Sequence, residues 1–226
     1  MKQSYDFNIE KIHNLSLEER NIRKKNLDLF YQSGFPNKKN EDWKFTDLNS
    51  ILNKSFESIT NSLDTDLNKK LELIKNFEHN YILLGNGKIK SSSFKHEENN
   101  KILIQDYEQK NKSNLNTSSS LTFLNNALSN GGFSLEIAKN YKLKKPLVIY
   151  SYFSKNLKNT ILNNKNSITL NKGAELTLID YTDDDSQDNF IKNTIENISI
   201  KENAILKNFV IQNCKSNGFF YKYIKI

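Results

Sequence analysis

The side chains best suited to chemistry are few and scattered along this sequence. The only cysteine, Cys214, excludes an internal disulfide and any zinc or iron–sulfur site built from several cysteines of this chain. The acidic run 183–185 with Asp188 has the oxygens that divalent cations prefer, but its polar surroundings favour a solvated loop. His96-Glu97-Glu98 lacks the second histidine of a helical metalloprotease motif. We therefore predict no catalytic residue and no metal ligand, and expect Cys214 to be a small hydrophobic side chain.

One glycine-rich stretch, Gly85-Asn86-Gly87-Lys88, has a superficial similarity to a phosphate-binding loop. Its spacing is not that of a Walker A motif, and no serine or threonine follows the lysine. The flanking runs 81–84 and 88–90 are strand-like, so the stretch predicts a hairpin turn.

Composition favours a folded protein whose charge is dispersed. Aromatic residues make up 11% of the chain, too many for a wholly disordered protein, and the net charge of +7 is spread along the sequence. Arg20 and Arg23 are the only arginines, so solvated lysines are favoured over a nucleic-acid surface. No apolar run approaches the roughly 20 residues of a membrane helix. We expect a cytoplasmic protein with neither nucleic acid nor membrane as partner.

The elements that must position these residues begin with a helical region, which we assign to residues 1–80. Ser16 and Glu19 form a capping box at the start of a helix, and Gly34 followed by Pro36 ends it. Thr46 or Asp47 caps a short helix, and a further helix is predicted from Asp64 to Glu78. Residues 81–120 read as the hairpin and a polar linker with one strand at 102–104.

An internal repeat dominates the last part of the chain, residues 121–226. The apolar positions of 168–179 match those of 198–209 at an offset of 30 residues, and an earlier copy starts at Leu135. Asn140, Gly173 and Asn203 occupy the same turn position, which suits positive φ. The pattern predicts an α+β, mainly β fold, in which the helical region precedes a β-helix-like (solenoid) stack. A meander sandwich remains the structural alternative.

The segment from Gly34 to Leu48 resembles the N-terminal signature of the SufB/SufD family, core subunits of the SUF iron–sulfur cluster assembly system. The family pattern is Gly-aliphatic-Pro, a basic stretch and Glu-[Asp/Asn]-Trp-Lys-[Tyr/Phe]-Thr, and the similarity extends in order over nearly the whole chain. Within the family, the short helical region before Gly-x-Pro resembles the SufD type. The matching signature residues, which are also candidate interface residues, are Gly34, Pro36, Glu41, Asp42, Trp43, Lys44 and Thr46.

The resemblance implies a non-catalytic scaffold that acts with a SufB-like subunit and a SufC-like ATPase. It implies no intrinsic cofactor, and an iron–sulfur cluster held only transiently and shared with partner subunits. Family chains continue through further β rungs to a helical domain that docks SufC and carries the cluster-linked Cys/His positions. This sequence stops at Ile226 within an apolar strand pattern, so no such position has a counterpart here.

That ending leads to expectations about assembly. A β stack cut between rungs exposes apolar side chains and strand edges. We expect residues 1–226 to self-associate through the β stack, to be partly unfolded near the C-terminus, or to be capped by the rungs of a SufB-like subunit. A non-functional truncated fragment is the remaining interpretation.

Trp43 has two interpretations. It either forms a contact surface with its charged neighbours or pins the helical region onto the first rungs of the stack, and the usual burial of tryptophan favours the second. Two rival functions are a stand-alone β-solenoid carbohydrate-active enzyme and a nucleic-acid-binding solenoid. Neither rival explains the Gly34 to Leu48 signature.

Overall fold

The computed structural model describes residues 4–12, 14–61, 73–107, 119–154, 157–184, 186, 188–214 and 218–226. The described chain is a mixed α/β protein, mostly strands in two sheets, with three α-helices. The helices are α1 (Leu17–Ser33), α2 (Leu48–Ser55) and α3 (Ser120–Leu128). The strands are β1 (Ser4–Asp6), β2 (Ser58–Asn61), β3 (Asn80–Gly85), β4 (Lys88–Ser93), β5 (Ile102–Asp106), β6 (Phe133–Ile137), β7 (Leu147–Phe153), β8 (Thr160–Leu170), β9 (Glu175–Asp184), β10 (Phe190–Ile200), β11 (Ile205–Asn213) and β12 (Gly218–Lys225).

Helix α1 begins and ends where its capping residues predict. The Ser16 hydroxyl accepts from Glu19 N, and the Glu19 carboxylate accepts from Ser16 N, which completes the capping box. Gly34 follows the helix with φ of 66°, and its N–H donates to Phe30 O. The buried face of α1 consists of Arg23, Leu27 and Phe30.

Two helix predictions need correction. Residues 73–78 form a turn and irregular backbone rather than the end of a helix, and residues 64–72 of that predicted helix lie outside the described residues. Conversely, α3 occupies a stretch where no helix was predicted. Its sequence has no ionisable residue and is almost wholly buried, so its helical form depends on packing rather than on an amphipathic pattern.

The strands of the repeat alternate between two parallel arrays. One sheet has the order β1-β2-β8-β10-β12, with β6 beside β8 and β5 beside β6, and the other has the order β11-β9-β7-β3-β4. Because β7 to β12 enter the two sheets in turn, each pairs in parallel with the strand two places away along the chain.

The register agrees with the repeat alignment. Ile168 pairs with both Ile198 and Leu135, the positions that the sequence comparison aligned. The three turn residues have φ values of 58° at Asn140, 69° at Gly173 and 57° at Asn203. The turn at Asn86 and Gly87 also has positive φ, and β3 and β4 form the predicted hairpin.

Two apolar cores hold the layers together. One core lies between the sheets and includes Phe133, Ile168 and Leu178. The other lies between the helices and the outer face of the β8 sheet and includes Phe30, Leu124 and Ile161. Helices α1 and α2 therefore pack against the sheet, and the two short strands β1 and β2 extend it.

Glu97 fastens the polar stretch after β4. Its carboxylate accepts from Asn80 Nδ2 at 2.6 Å, from the Tyr141 hydroxyl at 2.7 Å and from the backbone N–H groups of Lys144 and Lys145 at 3.1 Å. The described part of the linker is thus tied to the turn before β7, and β5 pairs antiparallel with β6.

Candidate functional site

The segment 34–48, which we call the Trp43 segment, crosses the surface between α1 and α2. Its ends are fixed by backbone contacts: Gly34 ends α1, and Pro36 O accepts from Asn49 N at 2.9 Å. Asp47 accepts from Ser50 N and caps α2, one of the two caps that the sequence offered. Pro36 is buried, whereas Glu41, Asp42, Lys44 and Thr46 are exposed.

Trp43 contacts the opposite end of the chain. Its half-buried ring lies 5.8 Å from that of Tyr221 on β12, and nearby the ring of Phe56 lies 5.6 Å from Phe219 on the same strand. Both rings belong to the core between the helices and the sheet. The expectation that Trp43 pins the helical region onto the first rungs is therefore corrected, because the strand that it contacts is the last one.

Phe45 is the outward-facing aromatic residue of the Trp43 segment. Its side chain is 89% exposed, with the Lys44 ammonium 5.1 Å from the ring. The two roles considered for Trp43 therefore fall to different residues of the segment. Trp43 packs against the rest of the fold, and Phe45 with the neighbouring charged side chains forms the exposed surface.

A second feature, four charged side chains facing the space between the sheets, was not found from the sequence. The Lys222 ammonium lies 2.9 Å from Asp180 Oδ2 on the opposite sheet and 2.9 Å from Glu196 Oε1 on the neighbouring strand. Lys192 lies beside them, with its ammonium 5.2 Å from the Phe153 ring. Lys222, on the last strand, therefore connects the two sheets.

The electrostatics of this cluster follow from pairing. Burial alone would raise the pKa of Asp180, but the charges of Lys192 and Lys222 hold that pKa below its ordinary value. Burial would lower the pKa of Lys222, and Asp180 and Glu196 raise it instead. Lys192 has a lowered pKa because its burial outweighs the nearby carboxylates. Side chains along a strand alternate between its two faces, and each of these charged residues lies two positions from another inward-facing residue. The alternation within β9, β10 and β12 could therefore have indicated that the four charged side chains face inward.

Cys214 lies just after β11 and is half-buried. Its thiol contacts Thr182 O at 3.9 Å, and its charge, when ionised, acts on Lys192. His79 also has a structural setting: its Nε2 lies 2.8 Å from the Tyr150 hydroxyl. Among the described residues, no group of three or more His, Cys, Asp or Glu side chains is arranged to hold a metal ion.

The third feature is an open edge formed by β11 and β12. Within the part of the chain that the structure describes, β11 pairs only with β9 and β12 only with β10. The exposed fractions of four apolar side chains of β11 are 48% for Ile205, 55% for Phe209, 57% for Val210 and 44% for Ile211. Lys207 and Lys225 add positive charge to this edge. Apolar residues with a basic rim are typical of a protein interface.

The comparisons with known proteins bear on the first of these features. Residues 2–77 match a family model described as the SufBD protein N-terminal region, and this stretch, which includes the Trp43 segment, is the N-terminal region of the SufB/SufD family. The resemblance stated from the sequence is thereby confirmed for residues 2–77 and at the level of the family. A search of curated proteins gives no match. None of the helices that the structure describes is long and apolar enough to cross a membrane.

Proposed function

We propose that this protein is a scaffold subunit of SUF iron–sulfur cluster assembly, of the SufD type and without catalytic activity of its own. The family match over residues 2–77 is the observation that carries the proposal, because this region suggests involvement in SUF iron–sulfur cluster assembly. We assign it the SufB-like subunit and the SufC-like ATPase as partners, in the cytoplasm, and an iron–sulfur cluster only as shared cargo.

The two-sheet array supports the structural part of this proposal. Parallel strands that alternate between sheets at repeats of about 30 residues are what a β-helix-like scaffold requires. In such a stack each unit buries the apolar face of the next, so an uncovered end is stabilised by another stack.

We assign the open edge of β11 and β12 to a SufB-like subunit. A partner strand placed against β11 would cover Phe209 and Val210 and would pair the unpaired backbone groups of the edge. The lysines at the rim favour a partner whose own strand edge carries acidic residues. A second copy of this chain, which has a net charge of +7, is less well suited.

Co-expression with the SufB-like and SufC-like proteins of the same genome tests the proposal. A tag on this chain is used for capture, and native mass spectrometry gives the composition of the complex. We expect a complex of one copy of this chain with one SufB-like subunit and little SufC-like ATPase. Recovery of a homodimer alone would assign the edge to a second copy, and recovery of the free monomer would contradict the scaffold proposal.

A further inference from the structure

A tyrosine–histidine pair lies on the outer face of the β11-β9-β7-β3-β4 sheet, in a place that the proposed function does not use. The Tyr150 hydroxyl, on β7, lies 2.8 Å from Nε2 of His79, the residue just before β3. Tyr150 is 0% exposed and His79 is 9% exposed, so the two side chains meet away from bulk water. The Tyr150 ring packs in an apolar cluster with Leu83, Val148 and Tyr152.

The hydrogen-bond partners of this pair determine which atom carries each proton. His79 Nδ1 lies 2.6 Å from Phe77 O, and a carbonyl oxygen only accepts, so Nδ1 carries the proton and Nε2 has the basic lone pair. The Tyr150 oxygen accepts from Ile74 N at 3.0 Å, so its own proton is directed at His79 Nε2. The phenol therefore donates to a base that can take its proton.

This geometry favours oxidation of the phenol with simultaneous loss of its proton. Burial raises the pKa of Tyr150, so a tyrosinate is disfavoured, whereas removal of one electron makes any phenol a strong acid. Once the proton has moved to His79, the phenoxyl oxygen accepts from two N–H groups, Ile74 N and His79 Nε2. The imidazolium lies against the Phe77 ring, whose centroid is 5.2 Å away with the planes 18° apart. Both products of the transfer are thus stabilised.

A second tyrosine connects the pair with the surface. Tyr181 on β9 is the neighbour of Tyr150 in register, and the two ring centroids lie 5.5 Å apart, edge to face. Tyr181 is half-buried, and its hydroxyl lies 3.5 Å from Asn213 Nδ2 at the end of β11. Because the two rings are in contact, an electron passes between them directly, and an oxidant outside the protein can reach Tyr150 through Tyr181.

We propose that Tyr150 and His79 form a proton-coupled redox pair, which takes one oxidising equivalent through Tyr181 from an oxygen-centred radical at the surface. The radical gains one electron and becomes an anion that water protonates. Tyr150 loses that electron, its O–H bond breaks, and the proton forms an N–H bond at His79 Nε2. The pair then consists of a neutral phenoxyl radical and an imidazolium. A thiolate reverses both transfers: it gives up one electron and becomes a thiyl radical, and the proton returns to the phenoxyl oxygen.

Flash photolysis of the full chain tests this pair, with photogenerated tris(bipyridine)ruthenium(III) as the one-electron oxidant and the optical absorption of the tyrosyl radical as the readout. We expect a long-lived radical that Tyr150→Phe removes and that Tyr31→Phe, at a residue 47% exposed, preserves. His79→Gln keeps a hydrogen-bond acceptor for the phenol but has no basic nitrogen, so the radical yield should fall at least about tenfold. An unchanged yield in either Tyr150→Phe or His79→Gln would overturn the proposal.

A second measurement uses the unmodified chain and does not depend on the folding of any variant. The oxidised protein is frozen, and high-field electron paramagnetic resonance with proton ENDOR in H2O and D2O detects exchangeable hydrogens bonded to the phenoxyl oxygen. We expect couplings to two such hydrogens, from Ile74 N and His79 Nε2. A radical without exchangeable hydrogen bonds would show that other tyrosines are oxidised instead and would overturn the proposal.

Discussion

The two edge strands of the β11-β9-β7-β3-β4 sheet differ sharply. Strand β4 has the sequence KIKSSS, and its exposed positions carry lysine and serine, whereas β11 has the sequence ILKNFVIQN and exposes four large apolar side chains. Proteins protect free edges from association with short strands and charged or polar residues. Among the described residues, the chain thus protects one edge in this way and leaves the other apolar, which is the contrast expected if the proposed partner binds at β11.

The other sheet shows the same contrast. The β8 edge is covered by β2 along its first residues and by β6 along its last residues, and the far edge, at β12, has no covering strand among the described residues. One end of the stack is therefore closed by the chain's own elements. At the other end, β12 pairs with β10, and side-chain contacts add to this pairing: the ion cluster of Lys222 and the aromatic contacts of Trp43 and Phe56.

The largest expected effect on stability concerns this open end. Lys222→Met leaves Asp180 and the 2% exposed Glu196 without their shared partner. We expect a loss of about 3 kcal/mol in the free energy of unfolding, and no more, because Lys192 remains close to both carboxylates. Urea unfolding at pH 7 measures it, with the exposed neighbour Lys225→Met as control. Equal unfolding midpoints for the two variants would contradict a structural role for the cluster.

The stability contributed by this ion cluster should also depend on pH. Because the pKa of Asp180 is lowered in the folded chain, its contribution is present above about pH 4, the unfolded value, and is lost as the pH falls through the folded pKa. In Lys222→Met the Asp180 carboxylate lacks the Lys222 charge that helps to lower its pKa, so the stability deficit should shrink on acidification in urea unfolding at pH 3 to 7.

A smaller effect is expected at the closed end. Glu97→Gln removes the charge that accepts from the Lys144 and Lys145 backbone, and we expect a loss of about 1–3 kcal/mol at pH 7. Burial would raise the pKa of Glu97, but these hydrogen bonds and that from Tyr141 lower it. Its contribution is therefore present above about pH 4.3 and is lost as the pH falls through the lower folded value. Denaturant unfolding between pH 3 and 7 should show that the difference from the unmodified chain vanishes in acid, and Glu98→Gln serves as the exposed control.

The smallest effects separate the two aromatic residues of the Trp43 segment. Trp43→Ala should cost about 1–2 kcal/mol because the half-buried ring leaves Tyr221, whereas Phe45→Ala, at an exposed position, should change stability by less than about 0.5 kcal/mol. Thermal melts and partner capture are compared for both variants. A stable Trp43→Ala protein that no longer captures its partner would reverse the assignment of fastening to Trp43 and of surface to Phe45.

Sequence reasoning succeeded where local chemistry determines the structure. The Ser16 capping box, the glycine at residue 34 and the turn residues Asn140 and Gly173 each fix a backbone conformation by their own type. Since these turns recur with the apolar alternation, the alignment of Leu135 with Ile168 also predicts the register between strands.

It failed where a distant contact determines the structure. Helix α3 has no capping hydrogen bond from Ser119 and no polar face, so only burial identifies it. The burial of Arg23 depends on carbonyls more than 100 residues away, and the contact of Trp43 with Tyr221 joins opposite ends of the chain. The ion cluster of Lys222 requires the register of three strands before its members meet.

The most direct test of the scaffold assignment is capture of the SufB-like subunit by the double variant Phe209→Lys, Val210→Lys. Two charges at the centre of β11 oppose burial against a partner strand, and we expect at least about a tenfold loss of captured subunit, with unfolding little changed because both side chains are already exposed. Leu17→Lys, at an apolar position of α1 that is 76% exposed, should capture as well as the unmodified chain. Undiminished capture by the β11 variant would contradict the account, since the open edge would then not be where the partner binds.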